Sequence, residues 1–175
     1  MKTFKLFIVL IPMLAFIGCK DENNKQTKVI EEVNKYVNAL KTNQYEDRYL
    51  PAFTYEHIDE LFKYRNEKDI ITNFLRNPIS SLYQEECELG MYVLWTVEYI
   101  RIKFVDSDLL IIEKFPSMNP ILKLRASEKL ELVYDVEAYQ IASDAYNTWW
   151  TSNKDKSVGE IMKIDPLENT IYKWH

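Results

Sequence analysis

The sequence predicts a mainly α-helical protein, a single compact domain of about five helices packed as antiparallel hairpins. Three features point there. Only three glycines occur in 175 residues, turn dipeptides are few, and apolar residues recur at three- and four-residue spacing through most of the chain.

The first eighteen residues stand apart. Lys2 and Lys5 are followed by an uncharged, largely apolar run from Leu6 to Ile17. That run is shorter than the ~20 residues needed to span a bilayer and has the length of a signal-peptide core. It leads into Phe16-Ile17-Gly18-Cys19, which resembles the lipobox of bacterial lipoproteins: apolar and small positions, then a cysteine whose sulfur takes a diacylglycerol. Phe16 and Ile17 are bulkier than that pattern usually carries. Residues 1–18 are therefore expected to be a lipoprotein signal peptide, Cys19 the lipid attachment site, and residues 19–27 a flexible tether. Lys20-Asp21-Glu22 resembles the signal that sends Bacteroidota-type lipoproteins to the outer face of the outer membrane. The expected location is the outer membrane, lipid-anchored, at the cell surface.

From residue 28 to 175 the pattern is that of one all-α domain. Val29, Ile30, Val33, Tyr36, Val37 and Leu40 fall on one face of a helix over 28–42. Pro51 interrupts, and Thr54 is the expected N-cap of a second helix to about Tyr64, with Tyr55, Ile58, Leu61 and Phe62 facing inward. Ile70 to Leu75 suggests a short helical turn before Asn77-Pro78 ends it. Ser81-Leu82-Tyr83-Gln84 resembles a capping box opening a helix over 82–104, the most apolar element and so the expected centre of the domain. Met91, Leu94, Trp95, Ile102 and Val105 share one face of it. Gly90 within that helix implies a close helix–helix contact, because glycine there costs about 1 kcal/mol relative to alanine.

Residues 106–134 are the least legible. Leu109 to Ile112 fits either a helical turn or a short strand. Asn119-Pro120 reads as an N-cap with proline at the first helical position, and Lys129 to Leu132 alternates as a strand does. Beyond Asp135 the helical period returns. Val136, Tyr139, Ser143, Tyr146 and Trp150 form one stripe, with Ala138, Ala142, Ala145 and Trp149 beside it, and the helix ends near Asn153. Ser157 and Glu160 form a capping box for a single turn, and Asp165-Pro166 directs a tail that packs through Ile171, Tyr172 and Trp174.

Composition excludes several chemistries. Removing Lys2 and Lys5 from 22 basic against 27 acidic residues leaves seven more acids than bases. No segment carries a basic stripe, so nucleic acid is not an expected partner. Gly18, Gly90 and Gly159 are too scattered to build a phosphate-binding loop, and no nucleophile elbow is present. His57 and His175 are the two histidines, too few for a zinc site without carboxylates. With Cys19 acylated, Cys87 has no disulfide partner and reads as a small buried hydrophobe. No catalytic residue, metal ligand or cofactor is assigned.

Asn77-Pro78-Ile79-Ser80-Ser81, Leu94-Trp95-Thr96-Val97-Glu98 with Ile100-Arg101, Pro116-Ser117-Met118-Asn119-Pro120, Trp149-Trp150 and Asp165-Pro166-Leu167-Glu168 together resemble a family of small Bacteroidota lipoproteins of unknown function. The likeness covers most of residues 28–174. It implies a helical lipoprotein and supplies no activity to transfer.

Two places are candidates for ligand binding. Glu98 and Arg101 stand side by side at i,i+3 on the most apolar helix. They either hold a ligand carboxylate or sugar hydroxyl or form a structural ion pair, and the ion pair is the expectation. Tyr146, Trp149 and Trp150 are the best aromatic cluster in a chain that is 14% aromatic. Trp149 and Trp150 diverge by about 100° on a helix, so one is expected at the surface or beneath the C-terminal tail. Such rings stack on sugars, although core packing is the simpler reading. His57, near Asp59 and Glu60, has no partner nucleophile and is read as a surface histidine. The expected function is a non-enzymatic binding module for an envelope protein or other envelope component. The alternatives are a glycan-binding accessory protein and, behind it, a carboxylate-based hydrolase.

Overall fold

A computed structural model describes residues 18–47, 49–76, 82, 84–105, 119–127 and 131–175, with side chains from residue 23 onward. Among these, five α-helices and two small antiparallel sheets are present. The domain is mainly α but not all-α.

Helix α1 runs Gly18–Lys41. Val29, Val33, Tyr36, Val37 and Leu40 are buried, the face the periodicity marks. Its start differs from expectation: residues 19–27 continue the helix rather than forming a leash, and Asn23 to Lys28 are all exposed. A solvated face has no apolar period to reveal it, and extension of a nucleated helix is far easier than its initiation. The helix stops where Asn43 takes a left-handed conformation (φ 55°), a role asparagine fills at helix ends. Asn43 Oδ1 accepts hydrogen bonds from the backbone N–H groups of Thr72 (3.0 Å) and Asn73 (3.2 Å).

A 3₁₀ turn (Tyr55–His57), α2 (Ile58–Leu61) and a second 3₁₀ turn (Phe62–Tyr64) make the second helical stretch. Thr54 caps it. Its N–H donates to His57 Nδ1 (3.1 Å) while the His57 N–H donates to the Thr54 carbonyl (3.0 Å). Ile58, Leu61 and Phe62 face the core as expected.

Ile70 to Leu75 does not form a helical turn. Ile70–Ile71 is strand β1, paired antiparallel with β2 (Cys87–Glu88). This displaces the start of α3 to Leu89, seven residues beyond the expected 82. Ser81 and Tyr83 of the expected capping box lie outside the described residues. Helix α3 (Leu89–Val105) is the centre of the fold, with every residue from Leu89 to Glu98 buried. Val105, expected on its apolar face, is exposed. Gly90 does mark a close approach, but to backbone: a Cβ there would stand 2.5 Å from the Arg65 carbonyl oxygen. Its N–H donates to the Glu67 carbonyl (2.9 Å).

Leu109 to Ile112 lies outside the described residues. Asn119-Pro120 opens no helix. Asn119 is fully buried and its amide donates to the Leu82 carbonyl (2.7 Å), and the chain enters β3 (Leu122–Leu124). β4 (Leu132–Val133) is the described end of the expected alternating segment. With β5 (Tyr172–Trp174) they form a sheet of order β4-β3-β5, pairing Leu122 with both Val133 and Trp174. The C-terminal tail is therefore a strand. Tyr172 and Trp174 point inward and Ile171 is exposed, as the two-residue period of a strand requires.

Helix α4 (Val136–Ser152) starts at Asp135, whose carboxylate accepts the Ala138 N–H (2.7 Å). Ala138, Ala142, Tyr146 and Trp149 form its buried line, with Ser143 beside them. Val136 is exposed. The single turn α5 (Val158–Ile161) follows the expected Ser157–Glu160 capping box. Arg125 then ties the tail down, its Nη2 reaching Asp165 Oδ2 (2.9 Å) and the carbonyls of Leu167 (3.0 Å) and Tyr172 (3.1 Å).

Candidate functional site

Glu98 and Arg101 meet as a two-pronged ion pair. Arg101 Nη2 donates to Oε1 (2.6 Å) and Nε to Oε2 (2.8 Å) of Glu98, and Nη1 donates to the Met162 carbonyl (3.0 Å). Tyr146 adds a third bond to the carboxylate, its hydroxyl donating to Oε2 (2.7 Å). It accepts in turn from Trp174 Nε1 (2.8 Å). Glu98 and Tyr146 are buried. Desolvation opposes the charge on Arg101, but the bonds and charge of Glu98 outweigh it and hold the guanidinium more firmly protonated than usual. Burial, reinforced by the Glu98 charge, pushes the Tyr146 phenol well above its ordinary value. Both carboxylate oxygens are engaged. The cluster welds α3, α4, α5 and β5 together, the structural reading of this pair, and it offers a ligand no approach.

The three aromatic candidates touch in turn along α4, Tyr146 meeting Trp149 edge-on at 6.0 Å and Trp149 tilting against Trp150 at 5.5 Å between centroids, but they differ in burial. Tyr146 is fully buried and Trp149 nearly so, with Trp149 Nε1 donating to the Ile161 carbonyl (3.1 Å). Trp150 is half-buried. The three do not share a platform. Trp150 instead forms part of an open groove of about 700 Å³ between the first turns of α1, the Tyr55–Leu61 stretch and the α4–α5 corner. Val29, Val158 and Ile161 supply apolar lining, Tyr55 a second ring, and Lys25, Lys154, Lys156, Glu56 and Asp59 the charges.

Besides Trp149, two further groups fix the indole of Trp150. Its Nε1 donates to Asp59 Oδ1 (2.6 Å), and the Phe62 ring meets it edge-on at 6.2 Å between centroids. Lys154 Nζ lies 3.7 Å from the same Asp59 oxygen. Across the lining, Lys25 Nζ donates to Glu56 Oε1 (2.5 Å). That bond holds the Lys25 ammonium above its usual pKa. Glu56 and Asp59 are three residues apart on one helical stretch, so they stand along the same wall rather than facing each other. A smaller hollow of about 270 Å³ is lined by Tyr36, Tyr45 and Phe53.

His57 is not a surface residue. It is buried and stacked on Phe53 (4.6 Å between centroids). Because Nδ1 accepts from the Thr54 N–H, Nε2 carries the proton of the neutral ring and donates it to Glu32 Oε2 (3.0 Å). Asp59 and Glu60 take no part, so the histidine serves as a cap and a cross-link to α1. Cys87 is buried, and desolvation pushes its thiol far above the ordinary range. Among the described residues no group of three His, Cys, Asp or Glu is placed to hold a metal ion. None of their helices is long and apolar enough to cross a membrane. Cys19 lies in the first turn of α1.

Sequence reasoning singled out Trp150 but missed the groove, because its lining is drawn from residues 23 to 161. Periodicity and the capping residues Thr54 and Ser157 marked the elements that flank it, but not that they meet.

Fold and groove thus define a mainly helical domain with a half-buried tryptophan set among charged side chains. The chain belongs to the family described as domain of unknown function DUF4943, whose model matches residues 27–175. No curated protein and no solved structure matches it.

Proposed function

We propose that this protein is an envelope lipoprotein of the Bacteroidota type, anchored in the outer membrane through Cys19 and displayed at the cell surface. In this reading its domain is a non-enzymatic module that binds an envelope component in the Trp150 groove. The observation that carries the binding reading is the fixed indole of Trp150, held by Asp59 at the edge of an open groove that also presents three lysines. Binding sites are characteristically concave, with an apolar floor and a few placed polar groups, and this groove has both. Glu56 and Asp59 each have a bonded partner and share one wall, an arrangement suited to holding side chains still rather than to hydrolysis across a gap.

A second reading, glycan binding, draws on the same indole. A ring fixed edge-on by a carboxylate leaves a face for the C–H groups of a sugar. The two readings are tested together. Envelope material separated into lipid, glycan and protein fractions is applied to the immobilised domain and to its Trp150→Ala variant, with circular dichroism to show that both are folded. Retention of a fraction by the first and not the second supports the groove as the binding site. Equal retention by both removes it from consideration.

A further inference from the structure

We propose that the Trp150 groove faces the membrane that holds Cys19 and takes up the phosphate of an anionic lipid headgroup, a proposal that rests on the lipid-anchor reading above.

Position comes first. The α1 wall of the groove is built from Asn23, Lys25, Gln26 and Val29, and α1 is one continuous helix from Gly18. At 1.5 Å rise per residue, Lys25 lies only ~9 Å along the axis from Cys19 and Val29 only ~15 Å. A flexible leash would let the domain roam at ~3.5 Å per residue; a helix holds this wall next to the acylated residue. With α1 inclined toward the bilayer, that reach brings the groove to the headgroups.

Charge comes second. The chain without residues 1–18 has seven more acids than bases, so most of its surface is repelled by an anionic bilayer. In the groove the balance reverses, with Lys25, Lys154 and Lys156 against Glu56 and Asp59. Each ammonium has three N–H donors; a carboxylate bond to Lys25 leaves two for phosphate. Lys154 is 57% exposed and stands 3.7 Å from Asp59, loosely enough to turn toward a new anion.

The ring comes third. Indole, apolar with one polar edge, settles at the headgroup level of bilayers. Trp150 is the half-exposed tryptophan, whereas Trp95, Trp149 and Trp174 are buried. Three lysines beside one indole orient an already anchored domain; they are too few to bind a membrane unaided.

The test uses the full acylated protein in phosphatidylcholine vesicles, with or without phosphatidylglycerol, containing a headgroup spin-labelled lipid that quenches tryptophan at close range. The expected result is quenching that rises with phosphatidylglycerol, is lost at high salt, and is lost in Trp150→Phe. Lys154→Glu with Lys156→Glu brings it down to the level seen in neutral vesicles. Protein that floats with the vesicles but shows quenching independent of phosphatidylglycerol overturns the proposal. A soluble glycan that shifts Trp150 emission while the labelled headgroup does not also overturns it. Protein that fails to float overturns the lipid-anchor reading, and this proposal with it.

Discussion

The phenol of Tyr146 stands 2.7 Å from Glu98 Oε2 and 48 residues from it in sequence, donating its proton to a buried carboxylate. The Tyr146 phenol oxygen in turn accepts from Trp174 Nε1, so one hydroxyl links α3, α4 and the last strand. Tyr146→Phe leaves the Trp174 N–H without its acceptor and the carboxylate one bond short, which should cost about 1–3 kcal/mol in urea unfolding. Glu98→Ala, which strands the Arg101 guanidinium at 13% exposure, should cost about 3–5 kcal/mol. The double variant Glu98→Leu with Arg101→Met should lose less than Glu98→Ala alone. A larger loss would contradict the view that the stranded charge dominates.

Gly90→Ala should destabilise, although alanine is the better helix former by about 1 kcal/mol. The added methyl would meet the Arg65 carbonyl at 2.5 Å and the Glu67 carbonyl at 3.0 Å. Backbone cannot swing aside as a side chain can, so a net loss of about 1–3 kcal/mol is expected by denaturant midpoint. Gly159→Ala, with nothing within 4 Å, is the control and should not destabilise.

Lys123 and Lys173 face each other across β3 and β5. Burial first, then the Lys173 charge, lowers the Lys123 pKa. In the window between that lowered value and the ordinary 10.5 the unfolded chain binds more protons, so this lysine makes stability rise with pH there. Lys173→Glu should raise stability at neutral pH by about 0.2–1 kcal/mol, the scale of an opposite-charge cross-strand pair. It should also flatten the alkaline rise, as followed by thermal melts across that window.

Two carboxylates set part of the acid limb. The His57 hydrogen bond holds Glu32 below its usual value, and the Ser157 hydroxyl and N–H do the same for Glu160. A depressed carboxylate pKa contributes stability that is present above the unfolded value and lost as pH falls through the folded one. Glu32→Gln and Glu160→Gln should each make stability fall less steeply between about pH 5 and pH 3 than in the parent. Urea titrations at stepped pH would show it.

Periodicity made α1, the 55–64 stretch and α4 legible, because Val29, Val33, Leu40, Ile58, Leu61 and Ala142 repeat every three or four residues and each is buried. It failed where partners decide the structure. Ile70–Ile71 and Cys87–Glu88 are two-residue strands, too short to show a period, and only their pairing makes them strands. The exposed start of α1 has no apolar stripe to read. Asn119-Pro120 has helix-start chemistry, yet burial of the Asn119 amide against Leu82 determines its structure. At the candidate site the spacing of Trp149 and Trp150 foretold their unequal burial, although their rings still touch at 5.5 Å between centroids. Nothing local could reveal that Trp150 meets Asp59, 91 residues away.

The anchor at Cys19 bears most weight in the functional account, and the mass of the protein purified from the membranes of its natural host tests it directly. The predicted result is a chain beginning at Cys19, lacking residues 1–18 and carrying a diacylglycerol thioether that Cys19→Ser abolishes together with membrane association. A mass that retains Met1, or a chain cut elsewhere with an unmodified Cys19, would contradict it.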